Sequence, residues 1–335
     1  MNRRRSLVAV VGAGLATVLI ACTPEIPEVS PPPADPQDQP VLDGPRLERV
    51  LTDIEDHIDR ADEEGDEDIL AERLDDPALS VRTAEYRLRS ATADTDAETS
   101  LQPLTTRSEV AVVSATSEWP RTALVVTEIP DDANTPLLIG LRQDDPQTPY
   151  QMFSWVRLLP GVTMPETEVA EIGSTPVDID DDLFLVSPAE ALEQYADLLT
   201  EGSESDYDED FAEEPFREAV EQEASNLAEN VEAAGEFSHA TDLQEDTAVA
   251  IRTAGGGVIT IGALRTQQTF TLTEDGGEIE VGGQLAALSE SDGEVNESLQ
   301  GTYHVMVALY VPPEDQDAEI TVLGAERVLS SVSEE

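Results

Sequence analysis

The chain has 335 residues, 39% of them hydrophobic and 4% aromatic, enough for one large domain or two ordinary ones with few large rings in the core. Its 72 Asp and Glu against 18 Lys and Arg give a formal charge of -54, and every base is Arg. That balance excludes a nucleic-acid binder, which needs a basic patch, and excludes docking on anionic lipid by charge. One Cys excludes an internal disulfide and any cysteine-based metal cluster.

The chain opens with Arg3, Arg4 and Arg5, followed by an uncharged, mostly apolar run from Leu7 to Ala21. A spanning helix needs about 20 apolar residues, so this shorter run after a basic start reads as a secretory signal peptide over residues 1–21. The run closes on Leu19-Ile20-Ala21-Cys22, and Cys22 is the only cysteine of the chain. These four residues resemble the lipobox of bacterial lipoproteins. The resemblance implies a diacylglyceryl group on the sulfur of Cys22 and cleavage before it. It also implies attachment to the extracytoplasmic face of the cell membrane, where two acyl chains suffice for a stable anchor. Arg4-Arg5-Ser6-Leu7-Val8 also resembles a twin-Arg export signal, so both export routes stay open.

Residues 22–45 read as a Pro-rich linker. Thr23 to Pro45 holds eight prolines, and at about 3.1 Å per residue it would hold a body roughly 70 Å from a membrane.

After Pro45, Leu47, Val50, Leu51, Ile54 and Ile58 recur at helical spacing, and a short second helix is expected from Glu67 to Leu74. From Leu79 the reading changes to strands, with apolar runs at Val110–Val113, Ala123–Val126, Leu137–Ile139 and Met152–Val156 between Pro, Asn and Asp clusters. Ser187, Pro188 and Glu190 form a capping box that starts a helix to about Leu199. Residues Glu201–Glu214 read as a solvated acidic loop, and Phe216, Val220, Leu227 and Val231 mark a longer helix. Strands follow at Val258–Ile261, at Phe270 and Leu272 alternating with Thr269, Thr271 and Thr273, and at Tyr303, Val305, Val307 and Leu309. Ile320 and Val322 add a further short strand. Asp275-Gly276-Gly277 reads as a hairpin turn toward Ile279 and Val281.

The order is helices then strands, twice. The expected class is α+β, with two tandem modules at 46–165 and 187–332, each helices followed by an antiparallel sheet. The same order counts against the alternating pattern of a periplasmic solute-binding protein. Two helices before a curved sheet resemble the nuclear-transport-factor-2-like or cystatin-like cone by element order. The lipobox, the Pro-rich leader and Pro77-Ala78-Leu79-Ser80-Val81-Arg82-Thr83-Ala84-Glu85-Tyr86 resemble actinobacterial lipoproteins, a group that brings no activity to carry over.

Chemical motifs are absent: there is no G-x-S-x-G, P-loop, G-x-G-x-x-G or H-E-x-x-H, and Gly255-Gly256-Gly257 precedes a strand and reads as a turn. His57 reads as a partly exposed helical residue, His239 as a cation after a helix end, and His304 as a half-buried strand residue. Asp178, Asp180 and Asp182 open like a calcium loop, but Leu183 replaces the required Gly and Ala189 the bidentate Glu; Asp206, Asp208 and Asp210 fail likewise. No catalytic residue, metal ligand or cofactor is expected, and an enzyme is the less favoured reading. The expectation is an envelope interaction or scaffold lipoprotein, anchored at Cys22, with an envelope protein as partner and no nucleic acid. The alternative is a small-ligand binder or enzyme using the concave sheet of one cone, with Trp155 and Tyr303 as scattered candidates. A third is a transport accessory protein.

Overall fold

The computed structural model describes residues 38–335 except Asp94, Asp96, Ala97, Asp275 and Asp317. The expected signal peptide with Leu19, Ile20, Ala21 and Cys22, and the expected linker up to residue 37, lie outside the described residues, as does Asp275 of the expected turn. Residues 38–43, expected to be linker, pack on the body: Val41 and Leu42 are buried, and Val41 N donates to Ser114 O at 2.9 Å.

Helix α1 spans Gly44–Glu64. Asp43 caps it by accepting from Arg46 N, Pro45 sits in the first turn, and Gly65 ends it at φ 67, a left-handed conformation that costs glycine least. The expected stripe is buried as Leu47, Leu51, Ile54, Ile58 and Ala61. A short helix α2 covers Glu67–Leu70. The strand reading from Leu79 is corrected: Ala78–Thr92 is helix α3. Its inward face carries Ala78, Val81, Arg82, Glu85 and Leu88, so two charges interrupt the apolar stripe and hide the helical period.

Four antiparallel strands follow, β1 (Ser108–Val113), β2 (Arg121–Thr127), β3 (Leu137–Gln143) and β4 (Gln151–Leu158). Next come β5 (Pro176–Val177) and α4 (Pro188–Glu201), whose capping box forms as expected, then α5 (Pro215–Val231). The acidic stretch Glu201–Glu214 is not a simple solvated loop. Phe211 is buried, Ala212 N donates to Ile320 O, and buried Glu214 caps α5 while accepting from the Tyr195 hydroxyl at 2.7 Å. The remaining elements are β6 (Gly235–Leu243), β7 (Val249–Arg252), β8 (Val258–Leu272), β9 (Ile279–Glu280), α6 (Gly283–Leu288), β10 (Glu294–Val295), β11 (Ser298–Val311) and β12 (Thr321–Glu334). The stretch after Gly277 does not run back along β8: β9 pairs with β10.

The α+β class is the observed one, but the division into modules at 46–165 and 187–332 is not confirmed. The strands of both lie in one sheet of order β1-β2-β3-β4-β12-β11-β8-β7-β5, with β6 also on β8. The junction is narrow, Gly324 opposite Leu158 and Ala325 opposite Arg157. A Cβ at Gly324 would stand 2.5 Å from Arg157 O, so glycine is what lets β4 approach there. The segment expected to separate modules instead ties the sheet's ends together. Ser174 N donates to Val113 O of β1, and two residues later Pro176 stands opposite Ile251 of β7.

Both faces of β11 are apolar at mid-strand. Val305, Val307, Leu309 and Val311 pack with Leu192, Tyr195 and Leu199 of α4. Met306 and Ala308 belong to the cluster that includes α1, α3 and β2–β4. Burial on both sides fixes the register, because a one-residue slip would exchange the two faces.

Candidate functional site

Toward the other end of the same strands one face is left open. The ladders place side by side Glu236, Thr271 and Ser298; then Ser238, Thr269, Gln300 and Ser333; then Ala240, Gln267, Thr302 and Ser331; and last Asp242, Arg265 and His304. Residues opposite one another on neighbouring strands point to the same side, so these rows form one grid on β6, β8, β11 and β12. None of them is buried. Their strand neighbours Phe270, Leu299, Gly301 and Tyr303 point to the other side and are buried, which orients the sheet and leaves the polar set outward.

The middle of the grid is internally bonded. Gln267 Nε2 donates to Gln300 Oε1 at 3.0 Å, and Gln300 Nε2 donates to Thr269 Oγ1 at 3.1 Å. At the charged row, His304 Nδ1 stands 3.5 Å from Gln244 Nε2. Burial, with the charges of Arg265 and Arg87 and against that of Asp76, holds the imidazole below its ordinary range. The ring is half-buried, as its strand position implied, and the lowered imidazole is mostly neutral near pH 7.

Past His304 the same face passes under α3, and its chemistry reverses. Glu326 of β12, opposite Met306, is almost fully buried and contacts Arg157 Nε of β4 at 3.3 Å. Arg82 of α3, 1% exposed, holds Asp62 of α1 by two bonds. It also donates through Nη1 to Glu85 Oε2 at 2.5 Å and to Gln102 O at 2.9 Å. The Tyr86 hydroxyl donates to Asp62 Oδ1 at 2.6 Å. Burial alone would press Arg82 toward losing its proton, but the bonds from Asp62 and the charge of Glu85 hold it above the ordinary range. Burial raises Glu85 against the opposing charge of Arg82. Burial likewise pushes Glu326 up to about 7, with Glu85 adding to the rise and Arg157 opposing it. Glu85 Oε1 and Glu326 Oε2 have no hydrogen-bond partner among the described residues.

The sequence candidates scatter. His57 ties α1 to the turn after α2, with Nδ1 2.6 Å from Asp53 O and Nε2 3.2 Å from Glu72 Oε2. His239 does not follow the end of α5. It lies within β6, and its Nε2 meets Leu199 O in the last turn of α4 at 3.0 Å, so it serves a helix end, but a different one. Asp178 accepts from Asp180 N, and Asp208 accepts from Arg217 Nη1. Among the described residues no three His, Cys, Asp or Glu gather as metal ligands would. Trp155 is wholly buried, and its Nε1 has no hydrogen-bond partner among the described residues. Tyr303 faces α5 with Arg327 over its ring, and burial pushes its hydroxyl up to about 12.

A separate cleft of about 380 Å³ lies between α4 and α5 over β6, lined by Phe237, His239, Arg217, Glu221 and Ser225 among others. Sequence reasoning missed the grid. Half of its signal was visible as Thr269, Thr271 and Thr273 alternating with apolar residues, but β6 was not seen and the rows exist only once the strands pair.

A family model described as a domain of unknown function (DUF8094) matches residues 38–331. The chain belongs to that family. No curated protein and no solved structure matches it.

Proposed function

We propose that this chain is a membrane-anchored extracytoplasmic lipoprotein whose body is an interaction module of the cell envelope, with the open grid as its docking surface. The observation that carries the anchor is the placement of the only cysteine. Cys22 closes Leu19-Ile20-Ala21 at the end of an apolar run that follows three arginines. On this reading two acyl chains at Cys22 hold the protein, each buried methylene contributing about 0.8 kcal/mol. Among the described residues no helix is long and apolar enough to cross a membrane. An interaction role is favoured over catalysis by where the perturbed carboxyls lie. Glu85 and Glu326 are buried under α3 and do not line the cleft between α4 and α5, so a substrate held there does not reach them.

The anchor is tested by detergent phase partitioning and intact mass of wild type and Cys22→Ala from a bacterial host. The expected wild type carries a diacylglyceryl mass and enters the detergent phase, while the variant is unlipidated. A wild type without that mass, in the aqueous phase, overturns the reading.

The cleft between α4 and α5 favours a second reading, a small-ligand binder. It joins an apolar floor at Ala224, Ala228 and Phe237 to polar groups of His239, Ser225 and Arg217. Fragment soaking that fills this cleft would support it.

A further inference from the structure

We infer that the open grid binds a strand of neutral, hydroxyl-rich polysaccharide. The inference rests on the reading of the grid as a docking surface and names its occupant.

Charge comes first. The chain carries -54, and a surface drawn from its composition would be acidic. The grid instead sets Glu236 and Asp242, both on β6, beside Arg265 and a neutral His304, and fills the rest with Ser, Thr, Gln and one Ala. Electrostatic complementarity selects partners by sign, and this patch selects neither a polycation nor a polyanion.

Hydrogen bonding comes second. Each hydroxyl donates once and accepts, and each glutamine amide does both. The chain of bonds from Gln267 through Gln300 to Thr269 fixes both amides. It leaves Gln267 Oε1 as an outward acceptor and the Thr269 hydroxyl proton as a donor. The side chains of Ser238, Thr271, Ser298, Thr302, Ser331 and Ser333 carry no hydrogen bond to the described residues. An apolar partner would leave each covered group unpaired, whereas a hydroxylated one exchanges water for equivalent bonds.

Size comes third. With strands about 4.8 Å apart and same-face residues about 7 Å apart, the grid covers roughly 500 Å². A stable protein interface takes about 800 Å² from each partner, and a second copy would bring another -54 against the first. A slender polymer that repeats its hydroxyls along its length fits the area and the row spacing. With no exposed aromatic ring on the grid, each bond adds little, so affinity should grow with oligomer length.

The test uses the full chain in mild detergent with four probes: a dextran, an N-acetylglucosamine oligomer, polygalacturonate and poly-arginine. Binding is measured by interferometry and mapped by hydroxyl-radical footprinting. A neutral probe should bind more tightly as it lengthens and protect the grid, with affinity unchanged from about 50 to about 500 mM sodium chloride. Gln300→Glu should weaken it at least about tenfold, and Gln267→Ala should also weaken it, both with unchanged circular dichroism. If only poly-arginine protects the grid, and salt abolishes it, the docking surface stands and the polysaccharide falls. Neutral binding untouched by either substitution overturns the inference. If no probe protects the grid, both the inference and the docking surface fall.

Discussion

Two stretches of one sheet face invert the usual distribution of charge. Where α3 covers β12, the face holds Glu326 beside Arg157, next to Arg82, Glu85 and Asp62. Where nothing covers it, the face is mostly serine, threonine and glutamine, with Glu236 and Asp242 on β6 and Arg265 beside His304. Solvation alone predicts the reverse, since buried ions lose several kcal/mol of hydration each and exposed acids lose little. In the covered stretch geometry compensates: Arg82 satisfies two carboxylates and a carbonyl, and the network ties α1 and the chain before β1 to α3. In the open stretch folding sets no such requirement. A chain with 72 acids places only Glu236 and Asp242 on this grid, and on the proposed reading the surface is shaped there by what touches it. On that reading the covered stretch answers to stability and the open one to binding.

That contrast breaks most severely at Arg82. Arg82→Met keeps the bulk but strands Asp62 and Glu85 without their partner, and should cost about 3–5 kcal/mol in urea unfolding. A loss under about 1 kcal/mol would mean the network is not what holds α3 down.

Glu326→Gln sharpens it through pH. The Glu326 carboxyl rises from an ordinary 4.5 to about 7 on folding, so the folded state holds the proton more tightly than the unfolded chain. The stability this lends is complete below about 4.5 and is lost as pH climbs through about 7. The glutamine mimics the protonated form. It should match wild type at pH 4 and exceed it at pH 8 by at most about 3 kcal/mol, less what Arg157 loses with its partner. Equal unfolding midpoints at both pH values would contradict the assignment.

Tyr86→Phe removes one bond to Asp62 and should cost about 1–2 kcal/mol with no change in pH profile. On the open side, Gln300→Ala should shift stability by no more than about 0.5 kcal/mol, as exposed positions do. A loss as large as that at Tyr86 would make the grid a folding element after all.

Much of this architecture was legible. The stripe from Leu47 to Ile58 and the box of Ser187 and Glu190 are local, and local periodicity and capping chemistry survive folding unchanged. Helix α3 was hidden because Arg82 and Glu85 occupy its inward face, where the pattern expects apolar residues. Strand β6 was hidden because its outward residues are Glu236, Ser238, Ala240 and Asp242 and its inward ones include His239 and Thr241. The single sheet depends on Gly324 admitting β4, a contact between distant segments that no periodicity encodes. Neither the grid nor the buried network is a motif, since both arise from strands and helices that meet only in the fold.

The most direct test of the docking surface uses the scarcity of thiols. Cys22 is the only cysteine, and in a lipidated chain its sulfur is alkylated and silent to maleimide. Ser331→Cys places a thiol on the open grid, and Glu209→Cys places one on the exposed acidic stretch before α5. Each variant is labelled on intact cells and again after detergent extraction. A grid occupied in the envelope predicts that the Ser331→Cys thiol reacts at least several-fold more slowly on cells than after extraction, while the Glu209→Cys thiol reacts equally in both. Equal reactivity of the Ser331→Cys thiol on cells and in extract would contradict it.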